Sequence, residues 1–143
     1  MSRVLAIDYG EKYIGLAMGD TEEYYIVPYE VLSTGSFEDL YIELEKIVNE
    51  SKIDEIVVGY PLGMNGEKTD QTLEVEKFAD ALQAKVGLPL IFEDERLTSK
   101  MAEKQQQGFL KKIWSGTNKN QVQKSSAILI LETYLDKKKN QKG

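Results

Sequence analysis

The sequence predicts an α/β fold with one mixed sheet and helices on both faces. Three apolar strand patterns come first, joined by short polar segments, as in a meander. Strand and helix patterns then alternate, an order typical of parallel strands connected by helices. The near-continuous apolar segment 53–61 has the composition of a central strand in a parallel sheet.

The meander comprises three predicted strands. Segments 4–8 and 13–20 are joined by a tight turn that uses Gly10. Segment 24–33 is the third strand and contains Pro28. Because proline donates no backbone hydrogen bond, this strand should lie at an edge of the sheet or carry a bulge.

Two amphipathic helices follow the meander. Ser36 is the predicted N-cap of the first helix, with Asp39 at the third helical position as in a capping box. The second helix covers 71–87 and ends at Gly87. Apolar residues at helical spacing give the expected buried faces, namely Leu40, Leu44, Ile47 and Val48 on the first helix and Leu73, Phe78, Ala81 and Leu82 on the second.

The remaining pattern predicts a short buried strand at 89–93, a helix from about Thr98, a loop at 115–120 and a final helix at 122–136. We expect a single domain over residues 1–137. The lysine-rich segment 138–143 is predicted to be a disordered basic tail.

The composition limits the chemistry that this chain can perform. The 143 residues include no cysteine and no histidine. Thiolate metal sites, cysteine nucleophiles and histidine bases are therefore excluded. Any bound metal should be a hard ion held by oxygen atoms, such as Mg²⁺ or Mn²⁺. No apolar stretch reaches the length of a membrane span, so we expect no membrane partner.

Charge is distributed unevenly along the chain. The formal net charge is −6, but residues 1–95 carry −14 and residues 96–143 carry +8. A local basic region matters more for nucleic-acid binding than the total charge does. The segment 108–121 also contains aromatic residues among its lysines, as in proteins that bind single strands. Internal packing of Phe109 and Trp114 in a helix is the alternative.

Carboxylates end two of the predicted strands. Asp8 ends the first, while Glu93, Asp94 and Glu95 follow one another at the end of the fifth. Parallel strands end at one edge of a sheet, where ligands bind in such folds. Asp8 and Glu95 are therefore candidates to meet around a cation. Glu93 and Asp94 are expected to face solvent or to cap the next helix.

Four segments occur in order along nearly the whole chain, namely LAIDYGEKYIGLAMGD, IVVGYPLGMNGEKTDQT, EDERLTS and SSAILILETYL. Together they resemble the bacterial pre-16S rRNA nuclease family, the YqgF-type relatives of Holliday junction resolvases. The resemblance implies a ribonuclease-H-like fold with a five-stranded mixed sheet whose second strand is antiparallel. It also implies phosphodiester cleavage with a divalent metal, and a cytoplasmic role in rRNA maturation.

The resemblance also assigns roles to single residues. Asp8 and Glu95 match the family's two acids and are the predicted catalytic metal ligands. The family's third acid, on the last helix, is replaced by Gln123, a poorer ligand for Mg²⁺. Lys12 resembles the family's lysine in the first turn.

Four further cations are candidates for contact with nucleic acid. Arg96 suits a bidentate phosphate contact, and an internal salt bridge to Glu93 or Asp94 is equally open. The lysines of the basic segment complete the set, namely Lys111, Lys112 and Lys119.

Three functions follow as hypotheses. The first is a nuclease acting on the 5′ end of precursor 16S rRNA. The second is a Holliday junction resolvase acting on branched DNA, which would require a dimer. The third is an RNA- or ribosome-binding protein with weakened catalysis because of Gln123. We expect a monomer or a weak homodimer.

Overall fold

The computed structural model describes residues 2–10, 12–22, 26–33, 35–94 and 119–142, with the backbone alone for parts of 26–33 and 119–142. The described elements, in chain order, are β1 (Arg3–Tyr9), β2 (Tyr13–Asp20), β3 (Ile26–Ser33), α1 (Phe37–Glu50), β4 (Glu55–Tyr60), α2 (Asp70–Val86), β5 (Leu90–Asp94) and α3 (Lys119–Lys142). The predicted helix near Thr98 and loop at 115–120 fall mainly outside this part of the chain.

The strands form one mixed sheet in the order β3-β2-β1-β4-β5. β2 is antiparallel to both β1 and β3, whereas β1, β4 and β5 are mutually parallel. The carboxyl ends of β1, β4 and β5 therefore lie at one edge of the sheet, as the sequence predicted.

Each face of the sheet carries its own apolar cluster. Leu5, Ile7 and their same-face neighbours pack against α1 and α2. Val4 and Ala6 point the other way and pack against α3. The alternation of side chains along β1 thus divides the core into two layers, and the predicted helices on both faces are present.

Single residues that predicted a strand edge, a helix start and a helix end have these roles in the structure. The β3 strand is an edge strand, and its register with β2 shifts opposite Leu16 and Ala17, next to Pro28. Ser36 caps α1 by accepting a hydrogen bond from the backbone N–H of Asp39. Gly87 ends α2 in the left-handed region, at φ 66°.

Three burial predictions are wrong. Leu73 is 47% exposed, and Ala81 is also exposed. In α2, Val75 and Ala79 share the buried stripe with Phe78 and Leu82 instead. The strand β5 is not buried on both faces, because it forms the edge of the sheet and leaves Ile91 and Phe92 more than one third exposed.

The α3 helix continues to Lys142, into the segment 138–143 that is predicted to be a basic tail. Lys138 lies 5.5 Å from the centre of the Tyr134 ring, one helical turn earlier. This cation–π contact and the helix propensity of lysine and glutamine favour continuation of the helix.

Candidate functional site

Asp8 lies at the carboxyl end of the central strand β1 and is only 8% exposed. Its direct neighbour on β2 is Gly15. On the other side Ile7 pairs with Val58, so the register brings Asp8 beside Gly59 of β4. The positions next to Asp8 on both neighbouring strands are therefore glycines, which carry no side chain.

The Asp8 side chain lies on the face that α3 covers. Val4 and Ala6 belong to the apolar cluster with α3, whereas Leu5, Ile7 and Tyr9 belong to the opposite cluster. Because side chains alternate along a strand, Asp8 follows Val4 and Ala6. The site therefore combines the edge of the sheet with α3, the helix that carries Gln123.

Glu93 lies in the same row of the sheet as Asp8. It pairs in register with Gly59, two strands from β1, so its Cα is roughly 10 Å from that of Asp8. The Glu93 side chain is 3% exposed, and its Oε1 lies 2.5 Å from the Nζ atom of Lys137 on α3. Within the described residues this oxygen accepts no hydrogen bond of regular geometry, so the ion pair is its compensating contact.

Burial of Glu93 overturns the expectation that it faces solvent or caps a helix. Asp94 pairs with Tyr60 on β4, and alternation directs it toward the face covered by α1 and α2. The side chains of the consecutive acids Glu93 and Asp94 therefore point to opposite faces of the sheet. Glu95 and Arg96 lie outside the described residues.

The other predicted site residues are described to different extents. Lys12 is exposed in the β1–β2 turn, at the same edge of the sheet as Asp8. Lys119 and Gln123 lie on α3, and the structure describes only the backbone of these two residues. Lys111, Lys112 and Trp114 lie outside the described residues. The structure thus brings Asp8 and Lys12 to one edge.

The loop after β4 is ordered by its own hydrogen bonds. The backbone N–H of Gly63 donates to the carbonyl of Glu67 at 2.9 Å, and that of Gly66 donates to Gly63 at 2.8 Å. A Cβ at position 63 would lie 2.0 Å from the Glu67 carboxylate. Gly63 therefore makes room for the Glu67 side chain.

A polar network anchors the same loop to α2. The Tyr60 hydroxyl donates to Oε2 of Glu76 at 2.6 Å, and Lys68 Nζ lies 2.8 Å from the same oxygen. Hydrogen bonds from Lys68 and then Tyr60 lower the pKa of Glu76. The bond to Glu76 raises the pKa of Tyr60, which keeps that hydroxyl protonated as a donor.

The carboxylates of the described residues do not form a metal site by themselves. Among the residues that the structure describes, no three acidic side chains come together as a metal site. The available ligand chemistry is oxygen alone, since the chain has no histidine or cysteine. Asp8, a carboxylate of low exposure between two glycines, would need further oxygen ligands to hold a hard divalent cation.

Comparison with known proteins assigns the chain to a family. Residues 2–137 match the RuvX family model, which is described as Holliday junction resolvase. The chain therefore belongs to the RuvX family. This confirms the relationship that the four sequence segments indicated.

Curated relatives of this RuvX-family chain carry a common name. A protein of Maridesulfovibrio salexigens named "Putative pre-16S rRNA nuclease" is 37% identical over 135 residues, covering 93% of this chain and 97% of the relative. A protein of Dictyoglomus thermophilum with the same name is 38% identical, covering 94% and 95%.

Solved structures of low sequence identity share the fold of this RuvX-family chain. Thermus thermophilus RuvC in complex with a Holliday junction substrate has a TM-score of 0.60 and 11% identity, covering 94% of this chain and 95% of RuvC. The fowlpox virus Holliday junction resolvase has a TM-score of 0.55 and 10% identity, covering 94% and 99%. The predicted mixed α/β class, of the RuvC and ribonuclease-H type, is confirmed at this level.

Sequence reasoning missed three features of this RuvX-family chain. It gave Gly15 and Gly59 no role, although both lie beside Asp8. It also missed the pair between Glu93 and Lys137. Side chains alternate between the two faces of a strand, so the apolar positions of β5 could have indicated which face Glu93 occupies. Nothing in the sequence indicated Lys137 as its partner, because Lys137 lies on a helix far along the chain.

Proposed function

We propose that this chain is a divalent-metal-dependent nuclease that processes the 5′ end of precursor 16S rRNA in the cytoplasm. The observation that carries the proposal is the buried Asp8 carboxylate, at the carboxyl end of a central strand and between Gly15 and Gly59. The names of the relatives support nuclease activity and the RNA substrate.

We propose Mg²⁺ or Mn²⁺ as the cofactor, with Asp8 and Glu95 as ligands and Gln123 as a third, weaker one. When bound, a pair of such ions activates a water and stabilises the leaving oxygen of a phosphodiester. Gln123 lies four residues before Ala127, which packs against the sheet. Positions four residues apart lie on the same side of a helix, so position 123 is on the side of α3 that carries Ala127.

The residues around Asp8 have separate proposed roles. Gly15 and Gly59, which have no side chains, allow a phosphate to approach the Asp8 carboxylate. Lys12, in the adjacent turn, neutralises a phosphate oxygen. Arg96 binds the next phosphate through two parallel hydrogen bonds.

We propose that the basic segment 108–121 binds the RNA strand beyond the edge of the sheet that carries Asp8. Lys111, Lys112 and Lys119 contribute positive charge that the acidic residues 1–95 do not supply. Within the described residues, no helix has an apolar stretch long enough to cross a membrane. We propose that the protein acts as a monomer or a weak homodimer.

A second candidate function is resolution of Holliday junctions. The fold shared with RuvC, whose solved complex contains a junction, favours it. Symmetric cleavage of two strands would require a two-fold dimer. A third candidate is an RNA- or ribosome-binding protein with weak catalysis, favoured by the amide at position 123.

Asp8→Asn tests the proposed site. The variant should lose cleavage of a precursor 16S rRNA fragment in Mg²⁺ and in Mn²⁺, because a neutral amide is a poorer ligand for these ions than a carboxylate. The variant should remain folded in metal-free buffer, since asparagine has nearly the same size and shape as aspartate. Cleavage is measured by gel electrophoresis of end-labelled RNA.

The matched control is Asp80→Asn, which makes the same chemical change at an exposed position of α2. It should cleave like the wild type. The assay is repeated with a four-way DNA junction, and faster cleavage of the junction than of the RNA would favour the second function. Full activity of Asp8→Asn would eliminate the proposed site.

A further inference from the structure

A cavity lies between α1 and α2, above the end of β1. Its volume is about 560 Å³, within the size range of small-molecule sites. Four aromatic residues and two charged residues line it, namely Tyr9, Phe37, Tyr41, Phe78, Glu74 and Lys77. It lies on the opposite face of the sheet from Asp8, because Tyr9 belongs to the cluster under α1 and α2.

The aromatic rings form a continuous row from the core to the surface. The ring centres of Tyr9 and Phe78 are 4.8 Å apart, and those of Phe78 and Tyr41 are 5.8 Å apart with only 19° between the planes. Phe37 continues the row, 6.4 Å from Tyr41 and 27° from parallel. Phe78 is 2% exposed, whereas Phe37 is 52% exposed.

Core packing accounts for the inner rings but not for Phe37. A large aromatic side chain left half in water gains little from folding. Placed at the open end of a row of near-parallel rings, it offers a surface on which another flat ring can stack.

The charged residues at the cavity complement a nucleotide. Lys77 and Glu74 are exposed and one helical turn apart on α2. Neither has a salt-bridge partner among the described residues. The Lys77 ammonium suits a phosphate, and the Glu74 carboxylate can accept a hydrogen bond from an exocyclic amino group of a base.

The cavity and the proposed cleavage site share one edge of the sheet. Tyr9 directly follows Asp8, and their side chains point to opposite faces. A strand of RNA that passes over this edge therefore reaches both places within a few nucleotides. Only an unpaired base is free to leave its own strand and enter such a cavity.

We propose that this cavity binds an unpaired base of the RNA strand that is cleaved at Asp8. The inference rests on the proposed function, and it adds a binding site that selects single-stranded RNA next to the cleavage position. The base stacks on Phe37 and Tyr41, while Lys77 contacts its phosphate.

The experiment measures binding of a short fluorescein-labelled oligoadenylate in metal-free buffer, by fluorescence anisotropy. Phe37→Ala should raise Kd about 5- to 150-fold, the range for loss of one stacked base. Phe37→Trp keeps an aromatic plane and should retain most of the affinity. The control is Ile42→Ala, since Ile42 is 55% exposed on the same helix but outside the cavity lining.

A second probe with the same sugar–phosphate backbone and no bases isolates the stacking contribution. Phe37→Ala should bind this probe as the wild type does. Equal affinities of Phe37→Ala and Ile42→Ala for oligoadenylate would overturn the inference, as would equal losses on both probes or no binding by the wild type. No cleavage occurs without metal, so failure here is separate from failure of the Asp8→Asn test.

Discussion

At the scale of single residues, the sheet separates acids that are adjacent in sequence. Glu93 faces α3 and pairs with Lys137, whereas Asp94 lies on the opposite side. Asp8 shares the row of Glu93 but has glycine on both neighbouring strands. Each carboxylate therefore has its own surroundings, and proximity in sequence does not indicate a shared cation.

Glu132 shows the effect of partial burial on a carboxyl group of α3. Burial, and then the charge of Asp136 one turn away, raise the pKa of Glu132 above its usual 4.5. A carboxyl with a raised pKa in the folded state stabilises the fold at low pH, and this stability is lost as the pH rises through the folded pKa. Above the unfolded-state pKa, Glu132 therefore lowers the free energy of unfolding.

Glu132→Gln should accordingly raise the unfolding midpoint at pH 7, and the gain should vanish below about pH 4. Asp136→Asn is the companion variant, since it removes only the repulsion, worth about 0.2–0.5 kcal/mol. The gain from Glu132→Gln should exceed it because burial is the larger cause. Thermal unfolding across pH 3–8 checks this, and an unchanged midpoint at pH 7 would contradict it.

At the scale of elements, Lys137 connects α3 to the edge strand β5. Its partner Glu93 is 3% exposed, whereas Lys137 itself is half exposed. Lys137→Met leaves a buried carboxylate without its cation and should lower the free energy of unfolding by about 1–3 kcal/mol. Urea denaturation at pH 7 measures this loss.

A double-mutant comparison tests whether the pair itself is responsible. Adding Glu93→Gln to Lys137→Met should recover part of the lost stability, because no buried charge remains unpaired. Lys46→Met, at an exposed position of α1, should have little effect. If the double variant is no more stable than Lys137→Met, the ion pair does not stabilise the fold.

The α3 helix also carries Gln123, the proposed replacement of the family's third acid. Gln123→Asp restores a carboxylate on the stripe of α3 that packs against the sheet. We expect a higher cleavage rate and a lower Mg²⁺ concentration for half-maximal activity, because a third acid strengthens the second cation site. A Mg²⁺ titration of both proteins on the same RNA measures both quantities.

Mn²⁺ provides the control for this titration. The wild type should gain more from Mn²⁺ than Gln123→Asp does, since Mn²⁺ accepts a neutral ligand better. Identical titrations of the two proteins would mean that α3 supplies no metal ligand.

At the scale of the whole molecule, charge divides the chain into two parts. Residues 1–95 are strongly acidic, and the following residues carry +8. A nucleic acid that approaches such a molecule is attracted to the basic part and repelled by the rest. The proposed contact through Lys111 and Lys112 follows from this separation.

Lys111→Ala combined with Lys112→Ala should weaken RNA binding and reduce the salt slope of log Kd by at most about 1.4–1.8. The matched control is Lys46→Ala with Lys85→Ala, which removes the same charge from two exposed positions of the acidic part. It should leave the slope unchanged. Binding measured at several salt concentrations checks this, and equal slopes for both double variants would contradict the proposed contact.

The sequence by itself determined the class of fold and the kind of chemistry. Apolar periodicity located the eight described elements, and Pro28 predicted that its strand lies at an edge or carries a bulge. The absence of histidine and cysteine restricted any metal site to oxygen ligands. These features depend on neighbours along the chain or on composition, so they can be seen without a structure.

Tertiary structure decided which side chains are buried and which residues surround Asp8. The edge position of β5 exposed Phe92, and contact with α3 buried Glu93. Pairing of three strands placed Gly15 and Gly59 beside Asp8. Such contacts join residues far apart in sequence, and their geometry is set by strand order and register, which local patterns do not encode.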